Sequence, residues 1–120
     1  MEYMFLLNGD EKRRAAMSPQ ALQELGGAYL AYTNALKAAG VFVDGNRLEG
    51  TAAATTVRVN GDGTTAVADG PYAESKEQLA GYYVVDVPDL DAAISWAARC
   101  PAASHGVVEI RPIGAVTVPA

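Results

Sequence analysis

The sequence predicts one α+β domain in which two helices cover one face of an antiparallel sheet. Three observations support this prediction: strands and helices alternate in a particular order, each long helical segment opens on a capping residue, and a strong turn signal divides the chain. The chain has 120 residues, of which 50% are hydrophobic and 19% charged, so it can build one core and is too apolar to be disordered. We therefore expect residues 1–120 to form a single domain.

The first predicted strand, residues 2–7, is apolar on both faces. Its side chains alternate between two rows: Tyr3, Phe5 and Leu7 in one, Met4 and Leu6 in the other. The longest predicted strand, residues 79–87, also has an apolar second face, which contains Tyr82 and Val84. This pattern is typical of strands that are covered on both sides.

The first predicted helix follows Ser18, which is a good N-cap, and has Pro19 at its first position, where no hydrogen-bond donor is lost. It ends at Gly40 and is followed by a strand over residues 41–48. Close approach of this helix to the sheet would explain its interior glycines, residues 26–27. Its apolar stripe has five members: Leu22, Leu25, Tyr29, Tyr32 and Leu36.

The second predicted helix begins after Pro88, with Asp89 as its N-cap, and ends at Pro101. Its predicted buried stripe has four members: Leu90, Ala93, Ile94 and Ala97. The last predicted strand, residues 107–112, ends on a proline, which marks an edge or an end of a sheet.

The clearest local signal is a β-hairpin between the two helices. Residues 55–59 and 64–68 form its strands, and residues 60–63, Asn-Gly-Asp-Gly, are a typical hairpin turn. Residues 73–78, which follow the hairpin, are polar and are predicted to be a loop or a single helical turn.

Without the hairpin, the predicted order is the β-α-β-β-α-β order of the ferredoxin-like fold, in which both helices lie on one face of the sheet. The other face would be bare in a monomer and would carry Tyr82, Val84 and one apolar row of the first strand. An exposed apolar patch of that size is typical of an interface. We therefore expect two sheets to pack face to face in a homodimeric α+β barrel.

A motif near the middle of the chain carries a family resemblance. Residues 69–83, DGPYAESKEQLAGYY, resemble the signature of the YCII-related family, in the branch named for its Asp-Gly-Pro-Phe motif, with Tyr72 in place of the phenylalanine. Four further segments are similar to the family: residues 3–7, 38–41, 90–98 and 106–112.

The resemblance implies a ferredoxin-like subunit in a dimeric barrel, which agrees with the order of strands and helices. It implies little about chemistry, because most members have no assigned activity, although some relatives are linked to elimination reactions. The founding branch is thought to use a histidine–aspartate pair. That histidine lies on the first helix, where this chain has none; the one histidine of the chain is His105.

Two titratable residues are the candidates for acid–base catalysis. Asp69 lies at the end of a predicted strand, where a half-buried carboxylate could reach a pocket at the sheet rim and act as a general base. The more common role of aspartate before Gly-Pro is to accept hydrogen bonds from the backbone of a turn. His105 lies in a predicted loop, where it could transfer protons near neutral pH, although a lone loop histidine is more often simply solvated.

Arginine and tyrosine side chains are the candidates for substrate binding. Arg111 could hold a carboxylate ligand in a bidentate manner; the alternative is an ion pair with Asp86 or Glu109. Aromatic walls and hydroxyl donors could come from the tyrosines Tyr29, Tyr32, Tyr72, Tyr82 and Tyr83. Because tyrosines at helical or strand spacing are more often core residues, we expect one or two of them to face a cavity.

Several partners and cofactors are not expected. The net charge of −5 disfavours nucleic acid, and no apolar run approaches the ~20 residues of a membrane span or forms the apolar region of a signal peptide. The single cysteine, Cys100, excludes an internal disulfide, predicts a buried structural thiol and fits a reducing cytoplasm. No metal is expected, because one histidine and scattered carboxylates match no ligand spacing, and no cofactor is implied.

Three functions remain open. The first is a cofactor-independent lyase or isomerase of a small metabolite, with Asp69 as the base and His105, Arg111 or a tyrosine stabilising negative charge. The second is a non-catalytic small-molecule-binding or regulatory homodimer, whose pocket would hold no titratable group of strongly shifted pKa. The third is a cofactor-free oxygenase, which would need a substrate that activates oxygen itself.

Overall fold

A computed structural model describes residues 1–116 and 119 of the chain. The elements are, in chain order, β1 (Glu2–Gly9), α1 (Glu11–Ala15), α2 (Pro19–Ala38), β2 (Phe42–Arg47), β3 (Thr55–Val59), β4 (Thr65–Asp69), β5 (Gln78–Asp86), α3 (Leu90–Arg99), α4 (Ala102–His105) and β6 (Val107–Pro112). Within the described residues, none of these helices has both the length and the apolar character that a membrane span requires.

Four strands form one antiparallel sheet in the order β2-β5-β1-β6. The long helices α2 and α3 both contribute to the core on one face of this sheet. The predicted α+β fold with ferredoxin-like order is therefore confirmed. Strands β3 and β4 form a separate two-stranded sheet, which is the predicted hairpin inserted between β2 and β5.

The core combines one row of each central strand with one stripe of each long helix. Its main members are Tyr3, Phe5, Leu7, Tyr83, Val85, Tyr32, Leu36, Ala93 and Ala97. Cys100, which is 1% exposed, completes this cluster and is a buried free thiol, as predicted. The prediction for α3 was wrong at Leu90 and Ile94, which are each 49% exposed, because the small residues Ala93 and Ala97 face the sheet.

The interior glycines of α2, residues 26–27, do not mark a close approach to the sheet. Both are exposed, and a Cβ built on either would meet no atom within 4 Å. Close approaches occur elsewhere: a Cβ on Gly81 would lie 2.7 Å from the carbonyl oxygen of Asn46, and one on Gly106 would overlap the carbonyl oxygen of Asn8. Glycine is therefore needed where β5 meets β2 and where the chain enters β6 beside β1.

The β3–β4 hairpin packs mainly on itself. Every residue of its two strands is exposed except Thr56. Because side chains alternate and Val57 pairs with Val67, one face carries three valines and the carboxylate of Asp69. Val57, Val59 and Val67 are 61%, 67% and 64% exposed. The radius of gyration is 16.9 Å, against roughly 14 Å for a compact chain of this length, which is consistent with a hairpin that projects from the sheet.

The face of the four-stranded sheet opposite α2 and α3 has an apolar middle. Met4 and Leu6 of β1 are half-buried there and lie opposite Val84 and Tyr82 of β5. Val84 is 7% exposed, because the surrounding side chains cover it. This is the face from which the sequence predicts a homodimer, and the homodimer stays a prediction.

Candidate functional site

A cavity of about 410 Å³ lies between α2 and the sheet. Its apolar and aromatic walls include Leu7, Leu22, Leu25, Tyr29, Phe42 and Tyr83. The cavity forms because the apolar stripe of α2 is closed against the sheet only in its second half, where Tyr32 and Leu36 are buried, whereas Leu22 and Leu25 are half-buried. Its volume lies in the range of about 300–1,000 Å³ that is typical of small-molecule sites.

A second cavity, of about 330 Å³, adjoins the first and extends toward α4. The two cavities share five lining residues: Leu7, Arg14, Leu25, Tyr29 and Ala80. Further walls of the second cavity come from Met17, Ala102 and His105, and its charged lining residues are Asp10, Glu11, Arg13 and Arg14. We call the two cavities together the α2 cleft; Arg14 and Tyr29 lie at their junction.

Helix α1, which the sequence analysis did not predict, brings Arg14 to the cleft. Asp10 is its N-cap, and the Asp10 carboxylate accepts a hydrogen bond from the Lys12 N–H at 2.9 Å. The guanidinium of Arg13 donates to the backbone oxygen of His105 at 3.3 Å. A capping aspartate followed by good helix formers was the available signal, and its short length concealed it.

Glu11 anchors the start of α1 to two distant segments. Its backbone N–H donates to Gln78 Oε1 at 3.0 Å. Its carboxylate accepts from the N–H of Thr51 at 2.7 Å and from the Thr51 hydroxyl at 2.8 Å. These bonds hold a five-residue helix that would not be stable in isolation.

Tyr29 contributes a polar group, its hydroxyl, where the two cavities meet, because it lines both of them. Among the residues that the structure describes, this hydroxyl has no hydrogen-bond partner, although the ring is half-buried. Burial raises the pKa of Tyr29 to about 12, with smaller contributions from Cys100 and Tyr83, while the guanidinium of Arg14 acts in the opposite direction. At neutral pH the side chain is therefore a neutral hydrogen-bond donor.

Tyr83 and Thr33 form a fixed polar pair in the cleft wall. The Thr33 hydroxyl donates to the backbone oxygen of Tyr29 at 2.9 Å. Because that hydroxyl has one proton, the Tyr83 hydroxyl is the donor in the 2.7 Å bond between the two side chains. Burial raises the pKa of Tyr83, so this phenol is also neutral.

Three cations line the first cavity: Arg14, Lys37 and Arg47. No carboxylate is present among the described residues that line it. Lys37 lies 5.0 Å above the ring of Phe42, and Arg47 forms a 3.3 Å ion pair with Glu49. Within residues 1–116 and 119, Arg14 has no carboxylate in ion-pair distance.

His105 is the predicted catalytic residue that lies at the cleft. It is exposed and lines the second cavity. Asp69, the other predicted catalytic residue, is exposed at the end of β4 and is not in the walls of the cleft. The structure thus does not bring these two residues together within one subunit, and the catalytic role of each stays a prediction.

The predicted binding residues lie in three different places. Tyr32 is buried in the core, and its hydroxyl donates to the backbone oxygen of Trp96 at 2.8 Å. Tyr72 is 80% exposed beside the hairpin, with the guanidinium of Arg58 5.9 Å from its ring centre. Neither tyrosine lines the cleft.

Arg111 and the ring of Tyr82 lie on the opposite face of the sheet. Arg111 forms a 3.5 Å ion pair with Glu109, which is the alternative that the sequence left open. The Tyr82 hydroxyl donates to the Asp44 carboxylate at 2.9 Å and accepts from the Asn46 amide at 2.9 Å. Since neighbouring strand residues point to opposite faces, Tyr82 borders the cleft through its backbone.

A metal site would need several ligands close together. Across residues 1–116 and 119, no group of three or more His, Cys, Asp or Glu side chains is placed to hold a metal ion. The polar groups of the first cavity are suited instead to hydrogen bonding and to attraction of negative charge.

The comparisons with known proteins identify the family of this chain. The profile of the YCII-related domain matches residues 1–117. An uncharacterised protein of Rhizobium meliloti (strain 1021) is 37% identical in an alignment of 119 residues, and the alignment covers 94% of this chain and 92% of that protein. The match therefore covers almost the whole domain, including the motif at residues 69–83. The chain belongs to the YCII-related family.

Proposed function

We propose that this protein is a homodimeric small-molecule-binding protein whose ligand occupies the α2 cleft. The observation that carries the proposal is the cleft itself, with a first cavity of about 410 Å³, largely apolar walls and a few polar groups at its centre. Of the cleft groups whose pKa is shifted, Tyr29 and Tyr83 are both held as neutral phenols by burial. Such groups favour binding over proton transfer at neutral pH.

A pair of adjacent glycines provides a matched test. Gly26 lines the first cavity and Gly27 does not, yet both are exposed on α2 with no atom within 4 Å of a built Cβ. We expect Gly26→Phe to fill the cleft and Gly27→Phe to leave it open. Both changes should alter helix stability by a similar amount, because both replace glycine in a helix interior.

The measurement combines native mass spectrometry, which detects any retained molecule, with saturation-transfer NMR against neutral, anionic and cationic naphthalene derivatives. We expect a ligand that binds the wild type and Gly27→Phe but not Gly26→Phe. Equal binding to both variants, or no ligand in either experiment, would contradict the proposal.

A second copy of this chain is the proposed partner. The half-buried residues Met4, Leu6 and Tyr82 on the sheet face, and the exposed valine face of the hairpin, support this assembly. A two-stranded hairpin is marginally stable on its own, so we infer that a partner subunit covers it. The same native mass spectra test this, and a monomer at micromolar concentration would argue against the dimer.

An acid–base lyase or isomerase is a second candidate, because His105 lines the second cavity. In this candidate His105 transfers the proton, and Asp69, on the valine face of the hairpin, joins the cleft when the dimer forms. Once a substrate is known, His105→Gln and Asp69→Asn should abolish turnover without changing the assembly. Unchanged rates in both variants would exclude the candidate.

We also propose that the chain belongs to the branch named for the Asp-Gly-Pro-Phe motif. Residues 69–72 are Asp-Gly-Pro-Tyr, and the glycine has a physical reason: Gly70 adopts a φ of 99°, which strains any other residue. A cytoplasmic location also remains a proposal, and the reduced, buried Cys100 is compatible with it.

A further inference from the structure

We propose that the ligand of the α2 cleft is a carboxylate with an aromatic or aliphatic body, and that Arg14 and the Tyr29 hydroxyl bind its carboxylate group. This inference rests on the proposed function, because it assigns the chemical class of ligand to the same cleft.

The charge around the first cavity points to an anion. The chain has a net charge of −5, yet three cations line this cavity and none of its described lining residues is a carboxylate. Lys37 and Arg47 already have partners, the ring of Phe42 and the carboxylate of Glu49. Arg14 is the lining cation whose charge is not paired within the described residues. A guanidinium offers two parallel N–H donors that match the geometry of a carboxylate.

Tyr29 supplies a second donor at the same place. Arg14 and Tyr29 both line both cavities, so the guanidinium and the phenol border a common space. The Tyr29 hydroxyl has no partner among the described residues and is not ionised at neutral pH. It can therefore donate to an anion without repelling it, whereas a cationic ligand would meet three positive charges.

The remaining walls suit an apolar body. Leu22, Leu25 and Phe42 face the first cavity, and Gly26 leaves part of its rim without a side chain. A cavity of about 410 Å³ can hold a one-ring or two-ring molecule. Burial of these partly exposed side chains by a ligand would add hydrophobic stabilisation to the contact with Arg14.

Helix α1, which carries Arg14, is held in place before any ligand arrives. Glu11, three residues earlier on α1, is bonded to Gln78 and Thr51, and Arg13 is bonded to the backbone of His105. A helix fixed at several points reduces the entropy that binding must overcome.

Isothermal titration calorimetry at pH 7.5 with 1-naphthoate and 1-naphthamide tests this inference, because the two probes differ in charge and hardly in shape. We expect 1-naphthoate to bind the wild type at least tenfold more tightly than 1-naphthamide. Arg14→Gln should lower the affinity for 1-naphthoate about tenfold or more and leave the affinity for 1-naphthamide within twofold of the wild-type value. Lys12→Gln removes the same charge from the same helix at a residue outside the cleft, and should leave both affinities within twofold.

The outcomes separate this inference from the proposed function. Equal affinity for the two probes, with both excluded by Gly26→Phe, would overturn the carboxylate assignment and leave the cleft as a binding site. If Arg14→Gln and Lys12→Gln lowered the affinity for 1-naphthoate equally, the effect would be general charge attraction, and this result would also overturn the carboxylate assignment. Failure of both probes to bind would reject this ligand class, and the retained-ligand and panel experiments would then decide the proposed function independently. Melting temperatures of both variants within about 2 °C of the wild type would show that α1 remains folded.

Discussion

The two halves of the apolar stripe of α2, residues 22–29 and residues 32–36, lie over the same sheet and differ in how they are closed. In the second half, Tyr32 and Leu36 are 5% and 0% exposed and pack with the buried thiol of Cys100. In the first half, Leu22 and Leu25 are half-buried and form the walls of a cavity. One apolar stripe therefore both closes the core and lines the α2 cleft.

Two tyrosines three residues apart show the same contrast. Tyr32 directs its hydroxyl to the backbone oxygen of Trp96, and its ring packs edge-on against Tyr83 at 5.3 Å between ring centres. Tyr29 keeps its hydroxyl at the cleft beside Arg14. The two hydroxyls therefore differ in their surroundings: that of Tyr32 is bonded within the core, whereas Tyr29 borders the cleft.

The largest expected effect comes from truncating a leucine in the closed half. Leu36→Ala removes a fully buried side chain and should lower the free energy of unfolding by about 2–5 kcal/mol. Leu25→Ala, in the open half, should lower it by less than about 1.5 kcal/mol, because that side chain is already partly solvated. Urea denaturation of the two variants measures the difference. Equal losses would mean that the two halves are equally closed in solution.

The second largest expected effect is a loss in the free energy of unfolding at alkaline pH. Burial raises the pKa of Cys100 from 9.0 to about 11, and burial also raises the pKa of Tyr32 and Tyr83. The folded state then holds protons that the unfolded state releases, so the contribution of these groups to stability is constant below pH 9 and falls as pH rises above 9.

The contribution of Cys100 alone should be roughly 2–3 kcal/mol between pH 9 and pH 11. Urea denaturation from pH 8 to pH 11 measures this loss, and Cys100→Ala should make the pH dependence in this interval shallower. A free energy of unfolding that does not change over this range would show that the thiol and phenols are solvated.

The smallest expected effect on stability separates the two tyrosines. Tyr32→Phe leaves the Trp96 carbonyl without its donor and should cost about 1–2 kcal/mol. Tyr29→Phe removes an unpaired hydroxyl and should change stability by less than about 0.5 kcal/mol. It should nevertheless weaken binding of 1-naphthoate severalfold, whereas Tyr32→Phe should not. If Tyr29→Phe lowered the free energy of unfolding more than Tyr32→Phe, then Tyr29, and not Tyr32, would lie in the closed half of the stripe.

The local signals in the sequence were reliable where one segment determines its own structure. Ser18 and Asp89 are the N-caps of α2 and α3, accepting from the Ala21 N–H at 3.1 Å and the Ala92 N–H at 2.9 Å. The alternation of β1 correctly separated the core row from the row on the opposite face. These features depend on neighbours within four residues, which a sequence displays directly.

The cleft could not be predicted in the same way. Arg14 reaches it on a helix held by Thr51 and Gln78, which lie 40 and 67 residues from Glu11. Neither the length of α1 nor its amphipathic pattern predicts these hydrogen bonds to distant segments. Residue type alone pointed to Asp69, Tyr72 and Arg111. Asp69 lies on the hairpin, Tyr72 lies beside it and Arg111 lies on the edge strand β6, and these positions depend on strand pairing between distant segments.

The sequence by itself determined the α+β class, the order of the strands and the two long helices, the caps of those helices and the inserted hairpin, because side-chain periodicity and capping are local properties of the chain. The tertiary structure decided which half of α2 closes on the sheet, which tyrosine keeps a free hydroxyl and which arginine faces the cleft. Those outcomes depend on how α1, α2 and three strands pack together, since a cavity is the space left between segments that are distant in sequence.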